Sequence, residues 1–264
     1  MPYIPLVLSL LLCLTFPLPS SANEQQNNLS IHTLTPPIPP SYYGSWYKED
    51  NTGQSTHTVT VNEQERSYQT YAPPQTSDTP RPAILLLHGA KRGGASLVEQ
   101  WKSTADKHNI ILIGPKSLND GWQLTHDGTP FLKAVIDDAK TRYNIDSKRL
   151  YMFGHSSGAN FSLYISIAHS LDFAANALHA GKLYQPEHKA LIPQAKRKIP
   201  IGFFIGTNDA LFPLDQVKNS AKAFADQQHD TSLYILDGHN HWYYDIAPFI
   251  NEKVWEFLSK HQLN

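Results

Sequence analysis

Five short runs of uninterrupted apolar residues punctuate the chain: "AILLL" (83–87), "IILIG" (110–114), "LYMFG" (150–154), "IGFFIG" (201–206) and the slightly weaker "LYILDG" (233–238). Runs of this length without alternation fit strands covered on both faces, the situation inside a parallel sheet. Between them the period changes. Phe131, Leu132, Val135, Ile136, Ala139 and Tyr143 recur at three- and four-residue steps after an Asp127/Thr129 start signal, which predicts a helix. The stretch after Pro248, with Phe249, Val254, Trp255 and Leu258, predicts a closing helix. Upstream, "HTVTVNEQERSYQTYAPP" alternates polar with β-branched or aromatic residues around a polar break at Asn62–Glu65, as a half-exposed antiparallel hairpin at a sheet edge does. Strands alternating with helices predict an α/β fold with a mostly parallel central sheet flanked by helices.

The beginning of the chain reads differently. Leu6–Phe16 is apolar but short for a bilayer span, and Ser20-Ser21-Ala22 is a small-residue cleavage pattern, so residues 1–22 are expected to be a secretory signal. The absence of Lys or Arg before the apolar run leaves an uncleaved anchor as the competing reading. Residues 23–56 are polar and Pro-rich and are expected to form a linker or a strap on the domain, with Tyr42, Tyr43, Trp46 and Tyr47 packing at its end. Residues 57–264 are then expected to form one domain. The only cysteine, Cys13, falls within the apolar run, so a cleaved chain carries no disulfide and depends on its core. Composition is ordinary for a soluble protein, 41% hydrophobic and 17% charged with a formal net charge of −1. That balance gives no reason to expect a nucleic-acid partner. The N-terminal signal implies a secreted or periplasmic location without stable membrane association after cleavage.

The residues just past each apolar run suggest chemistry. His88-Gly89-Ala90 comes after the first, Pro115-Lys116-Ser117 after the second and His155-Ser156-Ser157-Gly158 after the third. Thr207-Asn208-Asp209 comes after the fourth, and His239-Asn240-His241 after the fifth. Ligands of open α/β sheets bind at the carboxyl ends of the strands, where these loops converge.

Gly154-His155-Ser156-Ser157-Gly158, after a buried run and before a helical pattern, has the form of a nucleophile elbow. There the serine projects from a strained turn, and the flanking positions come too close together for larger side chains. The plain alternative is a glycine-rich strand-to-helix turn. A serine hydroxyl needs a base, and the base an orienting acid. Asp209 is the best acid, with a helix cap as its structural alternative; Asp237 and Asp245 compete but sit close to the histidines in sequence. His239 and His241 both qualify as base, and spacing does not decide between them. Their joint use with Asp237 as metal ligands lacks a third His or Cys, so no metal and no cofactor is expected. The backbone N–H groups of Ala90 and Ser157 are placed to form an oxyanion hole. His88 is expected to hold its loop by hydrogen bonds, His155 to form a wall of the site in contact with substrate, and Trp122 to line the pocket or fill core.

Together "LLLHGA", "GHSSGA", "GTND" and "HNHWYYDIAPFI" resemble an α/β-hydrolase, and more narrowly the secreted esterases grouped with polyhydroxybutyrate depolymerases and feruloyl esterases. The resemblance covers about residues 57–264. "VNEQERSYQTYAPP" is similar to the opening hairpin of that family, and "FAANALHAG" to its strand after the nucleophile helix. It implies an α/β-hydrolase fold with an antiparallel N-terminal hairpin, Ser156 as nucleophile, Asp209 as acid, and Ala90 and Ser157 as oxyanion donors. The tail is similar to the His-x-Tyr-Tyr segment of esterase-D-type enzymes, which favours His241 as base. The Gly-His-x-Trp-Pro tail of the depolymerases is absent, so their polymer specificity does not carry over. The stretch "KLYQPEHKALIPQAKR" leaves room for a small cap or none, and hence for an open site suited to a bulky ester or the end of a polymeric one. The implied activity is a serine carboxylic-ester hydrolase working through an acyl-enzyme. A prolyl-oligopeptidase-like peptidase, for whose propeller the chain has no room, and an acyltransferase on the same scaffold are the alternatives.

Overall fold

In the computed structural model, which describes residues 28–37, 50–184 and 186–264, the apolar runs become neighbouring strands of one sheet. The expected signal at 1–22, including Leu6–Phe16 and Cys13, and the aromatic residues Tyr42, Tyr43, Trp46 and Tyr47 lie outside the described residues. In chain order the elements are β1 (Leu29–Leu34), β2 (Ser55–Val61), β3 (Gln64–Tyr71), β4 (Arg81–Leu87), α1 (Gly94–His108) and β5 (Ile111–Pro115). They continue with α2 (Leu124–Asp127), α3 (Thr129–Arg142), β6 (Ile145–His155), α4 (Ser157–Ala168) and β7 (Asn176–His179). The last are β8 (Ile201–Gly206), α5 (Leu214–Asp226), β9 (Thr231–Leu236) and α6 (Ala247–Leu258).

Among the described residues the sheet has nine strands in the order β1-β9-β8-β7-β6-β4-β5-β3-β2. Every pairing from β1 across to β5 in that order is parallel, while β3 runs antiparallel to β5 and β2 antiparallel to β3. The expected α/β-hydrolase architecture is therefore present, with its hairpin at one edge. Asn62 and Glu63 both take left-handed backbone conformations (φ 51° and 65°) at the hairpin turn, the geometry that matches the twist of the flanking strands.

The β4 run shows why it had to be apolar throughout. Ala83, Leu85 and Leu87 pack into the core on the side of α3, α4 and α5, whereas Ile84 and Leu86 join Trp101, Tyr243 and Val254 on the side of α1 and α6. Successive side chains of a strand point to opposite faces, so a strand buried on both sides has no position that tolerates an unpaired polar group. Burying each leucine or isoleucine of the run is worth about 1.5–3 kcal/mol.

Two features go beyond the periodicity. Residues 29–34, inside the stretch expected as a linker or strap, pair in parallel with β9 from Leu29↔Thr231 to Leu34↔Leu236, so this part straps the sheet edge. Its pattern is mostly exposed and so offers no buried run to detect. Strand β7 has four residues, three of them Asn, Ala and His, and carries almost no strand signal of its own. Between β7 and β8 the described residues form only a short 3₁₀ segment, Pro186–Gln194, consistent with the small cap.

Candidate functional site

At the carboxyl edge, register fixes the neighbours: Leu87 of β4 lies beside Gly154 of β6, His155 beside His179 of β7, and Gly206 of β8 beside Leu236 of β9. Ser156 comes directly after β6 and opens α4. Its backbone sits at φ 54°, ψ −115°, a conformation that costs a non-glycine residue roughly 1–3 kcal/mol and persists only where its surroundings hold it. The holding contacts are visible. Ser156 N–H donates to His179 O at 3.0 Å, and a Cβ on Gly158 would lie 1.9 Å from Leu87 O. A Cβ on Gly154 would in turn meet Gly158 O at 2.5 Å. Both glycines are thus required by close backbone approach.

His241, in the loop after β9, brings Nε2 to 3.0 Å from Ser156 Oγ, and its Nδ1 to 2.9 Å from Asp209 Oδ2. Asp209, in the loop after β8, has a fully buried side chain. Its Oδ1 accepts the N–H groups of Leu211 and Phe212, both at 2.9 Å, so the carboxylate is oriented by its own loop. The Phe212 ring lies flat on the His241 imidazole, with centroids 5.3 Å apart and 5° between planes. His239, the other candidate, is buried and turned elsewhere, with Nε2 3.0 Å from His179 Nε2. Burial lowers its pKa to about 4.

Ala90 and Ser157 line the same cleft as Ser156. The Ala90 loop is pressed against the elbow: a Cβ on Gly89 would lie 3.1 Å from His155 and 3.6 Å from Ser156 Cβ. His88 ties this loop down, with Nδ1–H donating to Gly89 O at 2.8 Å and Nε2 accepting from Ser117 N–H at 3.1 Å. Burial holds its pKa down to about 4, so the ring stays neutral and can both donate and accept.

The cleft encloses about 530 Å³, with Trp122, Phe161, Tyr164, Tyr184, Leu211 and Phe212 among its lining. Trp122 both lines it and packs against core: its ring stacks on Phe161 at 5.2 Å, while its indole N–H donates to His88 O at 2.8 Å. Tyr184 and Leu211, 58% and 66% exposed, are large apolar groups of that lining open to solvent.

His155 is a correction to the sequence expectation. In place of a wall in contact with substrate, it is buried beneath Ser156 and does not line the cleft. Alternation along β6 explains this: the residue before the elbow points back into the sheet edge, where Tyr243 stacks on it. His155 Nδ1 and His179 Nδ1 are 3.0 Å apart, which with the His179–His239 contact makes a chain of three buried imidazoles. Desolvation first, then the neighbouring histidines, holds His155 and His179 well below the ordinary histidine pKa.

Sequence reasoning missed one organiser. Asp127 Oδ1 accepts from Arg66 at 2.6 Å and from Leu118 N–H at 2.9 Å, and its Oδ2 accepts from Gln123 N–H at 2.9 Å. This buried carboxylate, which the sequence marks only as a helix start, knots the loop that carries Trp122 over Ser157.

The Dienelactone hydrolase family model matches residues 116–249, half of the chain. Among curated proteins, the chain is 29% identical over 170 residues to a bifunctional acetylxylan esterase/xylanase of Neocallimastix patriciarum, covering 62% of this chain and 24% of that protein. It is also 29% identical over 118 residues to feruloyl esterase B of Talaromyces funiculosus, covering 39% and 33%. The chain thus spans between about a quarter and a third of the length of these relatives. Among solved structures, a thermostable esterase superposes with a TM-score of 0.64 at 20% identity, over 80% of this chain and 63% of that one. An acetyl xylan esterase from Aspergillus awamori superposes with a TM-score of 0.63 at 16% identity, over 78% and 99%. At these identities the superpositions establish the fold.

Proposed function

Since this chain belongs to the dienelactone hydrolase family, we propose that it is a secreted serine esterase that cleaves carboxylic esters through Ser156, His241 and Asp209. The observation that carries this reading is the unbroken hydrogen-bond chain from a buried carboxylate through an imidazole to a hydroxyl on a strained elbow. Secretion rests on the N-terminal apolar segment; among the described residues no helix is long and apolar enough to cross a membrane.

The donor inventory sets the path of the proton. An ionised Asp209 can only accept, so the His241 proton sits on Nδ1 and Nε2 is left as the base. As Ser156 Oγ bonds to the ester carbonyl carbon, its proton passes to Nε2. The resulting oxyanion is met by the N–H groups of Ser157, at the first turn of α4 where amides lack intrahelical partners, and of Ala90. Collapse expels the alcohol, which takes the proton from Nε2. Water then repeats the sequence on the acyl-enzyme, His241 again acting as base, and releases the acid. The open, aromatic cleft fits a bulky ester or an ester at the end of a polymer, in keeping with the acetylxylan and feruloyl esterases among the relatives.

Hydrolysis of a panel of p-nitrophenyl, feruloyl and acetylated-sugar esters tests this. Ser156→Ala is expected to lower kcat by about three orders of magnitude or more with the circular dichroism spectrum unchanged. Comparable turnover in a folded Ser156→Ala protein would remove the assignment.

A further inference from the structure

Beside the catalytic cleft lies a second depression of opposite character. It is an open groove of about 1070 Å³ whose charged lining is Lys91, Arg92, Lys116 and Asp120, with Asn51, Gln69, Ser117 and Asn119 supplying neutral polar groups. The two depressions share a ridge. Ala90 faces the cleft and Lys91 the groove; Trp122 faces the cleft and Asp120 the groove. Lys91 N–H donates to Asp120 O at 2.6 Å, stitching the two halves of that ridge together. Ala90 and Lys91 are consecutive, with Cα atoms about 3.8 Å apart, so the two depressions adjoin at this ridge.

Its charges are unbalanced, three cations against one carboxylate. Lys91 and Lys116 are exposed and form no ion pair among the described residues, while the Arg92 guanidinium is held over the rings of Trp242 and Tyr244 at 5.4 and 5.3 Å. The whole chain carries a formal net charge of −1, so this local excess is not a by-product of overall charge. A surface on which amides, hydroxyls and spaced cations outnumber the apolar Ala95 and Leu118 suits a hydroxyl-rich polyanion better than a lipid or an apolar peptide.

We propose that this groove is a subsite for a uronate-bearing glycan: Lys91 and Lys116 pair with its carboxylates while an ester on the same chain enters the Ser156 cleft. The proposal rests on the esterase reading for the second half of that sentence only; the binding half stands by itself. It makes the enzyme selective for esters on acidic polysaccharide over the same esters on neutral polysaccharide, through affinity and encounter rate rather than through the chemical step.

The full chain is titrated calorimetrically with a galacturonate hexamer and with a neutral galactose hexamer, at about 20 mM and about 300 mM NaCl. Two exposed ion pairs predict roughly fivefold or greater preference for the acidic oligomer at low salt, lost at high salt and in the Lys91→Gln/Lys116→Gln protein. Equal affinity for the two oligomers, or a preference that survives the double substitution, overturns the subsite. In parallel, kcat/KM for the acetylated forms of both oligomers is expected to show the same preference, read as a change in KM. p-Nitrophenyl acetate, too small to reach the groove, reports the Ser156 centre separately. Its failure to react in the native protein would sink the esterase reading, while the titration would still decide the groove.

Discussion

Two histidines stand two residues apart in one loop, yet their surroundings give them different chemistry. His241 lies between a buried carboxylate and a serine hydroxyl, and His239 points into a chain of neutral imidazoles. Substituting each by alanine therefore has different expected outcomes. His241→Ala lowers kcat for p-nitrophenyl esters by about a thousandfold or more; His239→Ala keeps kcat within about tenfold and loses thermal stability instead. The reverse ranking in folded proteins would transfer the base to His239. Asp209→Asn offers His241 Nδ1 an amide that can donate as well as accept, so the imidazole proton can move to Nε2. A kcat loss of about a hundredfold or more with little change in KM is expected from steady-state kinetics.

At the scale of elements, the elbow and the Trp122 loop are positioned by different forces. The elbow depends on steric closeness: β4, β6 and the start of α4 approach so tightly that Gly158 has no room for a side chain. Gly158→Ala is expected to abolish soluble folded protein rather than merely slow the enzyme, and a cooperative melt within a few degrees of the parent would contradict that packing. The Trp122 loop is anchored by a buried ion pair, Arg66–Asp127, with side chains 5% and 1% exposed and the guanidinium 3.8 Å from the centre of the Phe131 ring. Asp127→Asn leaves Arg66 as a buried charge without its partner and is expected to cost about 3–5 kcal/mol in urea unfolding. The surviving fold should also show a raised KM for bulky aryl esters, since the wall of the cleft loses its tether; an unchanged KM would place the role of Asp127 in stability alone.

For the whole molecule, buried neutral histidines make acid the weak side. His88, His229 and His239 are each held down to about 4 by burial. In the unfolded chain a histidine takes up its proton near pH 6.5, so between about 6.5 and 4 the unfolded state binds protons that the folded state refuses. Stability thus rises with pH across that window, is fully present above it, and is lost as pH falls through it. Each such histidine contributes a slope of at most about 1.4 kcal/mol per pH unit. The urea midpoint is expected to fall steadily from pH 7.5 to pH 5, and a flat midpoint would show that these rings are not protected from solvent as the fold implies.

The apolar runs at 83–87, 110–114, 150–154, 201–206 and 233–238, and the turn Gly154–Gly158, were legible because each is local: a strand buried on both faces needs uninterrupted hydrophobic residues, and an elbow needs two small positions about a serine. Asp209, the carboxylate that meets His241, was legible for the same reason, lying just past a strand end. Strand β1 was not, and β7 only through the resemblance of "FAANALHAG" to a family strand, since their membership in the sheet comes from the neighbours they hydrogen-bond and not from a periodicity of their own side chains. Nor could periodicity separate His241 from His239, bury His155, or link Arg66 to Asp127 across 61 positions of sequence. Loops have no fixed repeat, so the direction of a side chain there is set by what packs against it. The chain alone dictated which groups arrive at the carboxyl edge of the sheet; only the folded arrangement decided which of them touch.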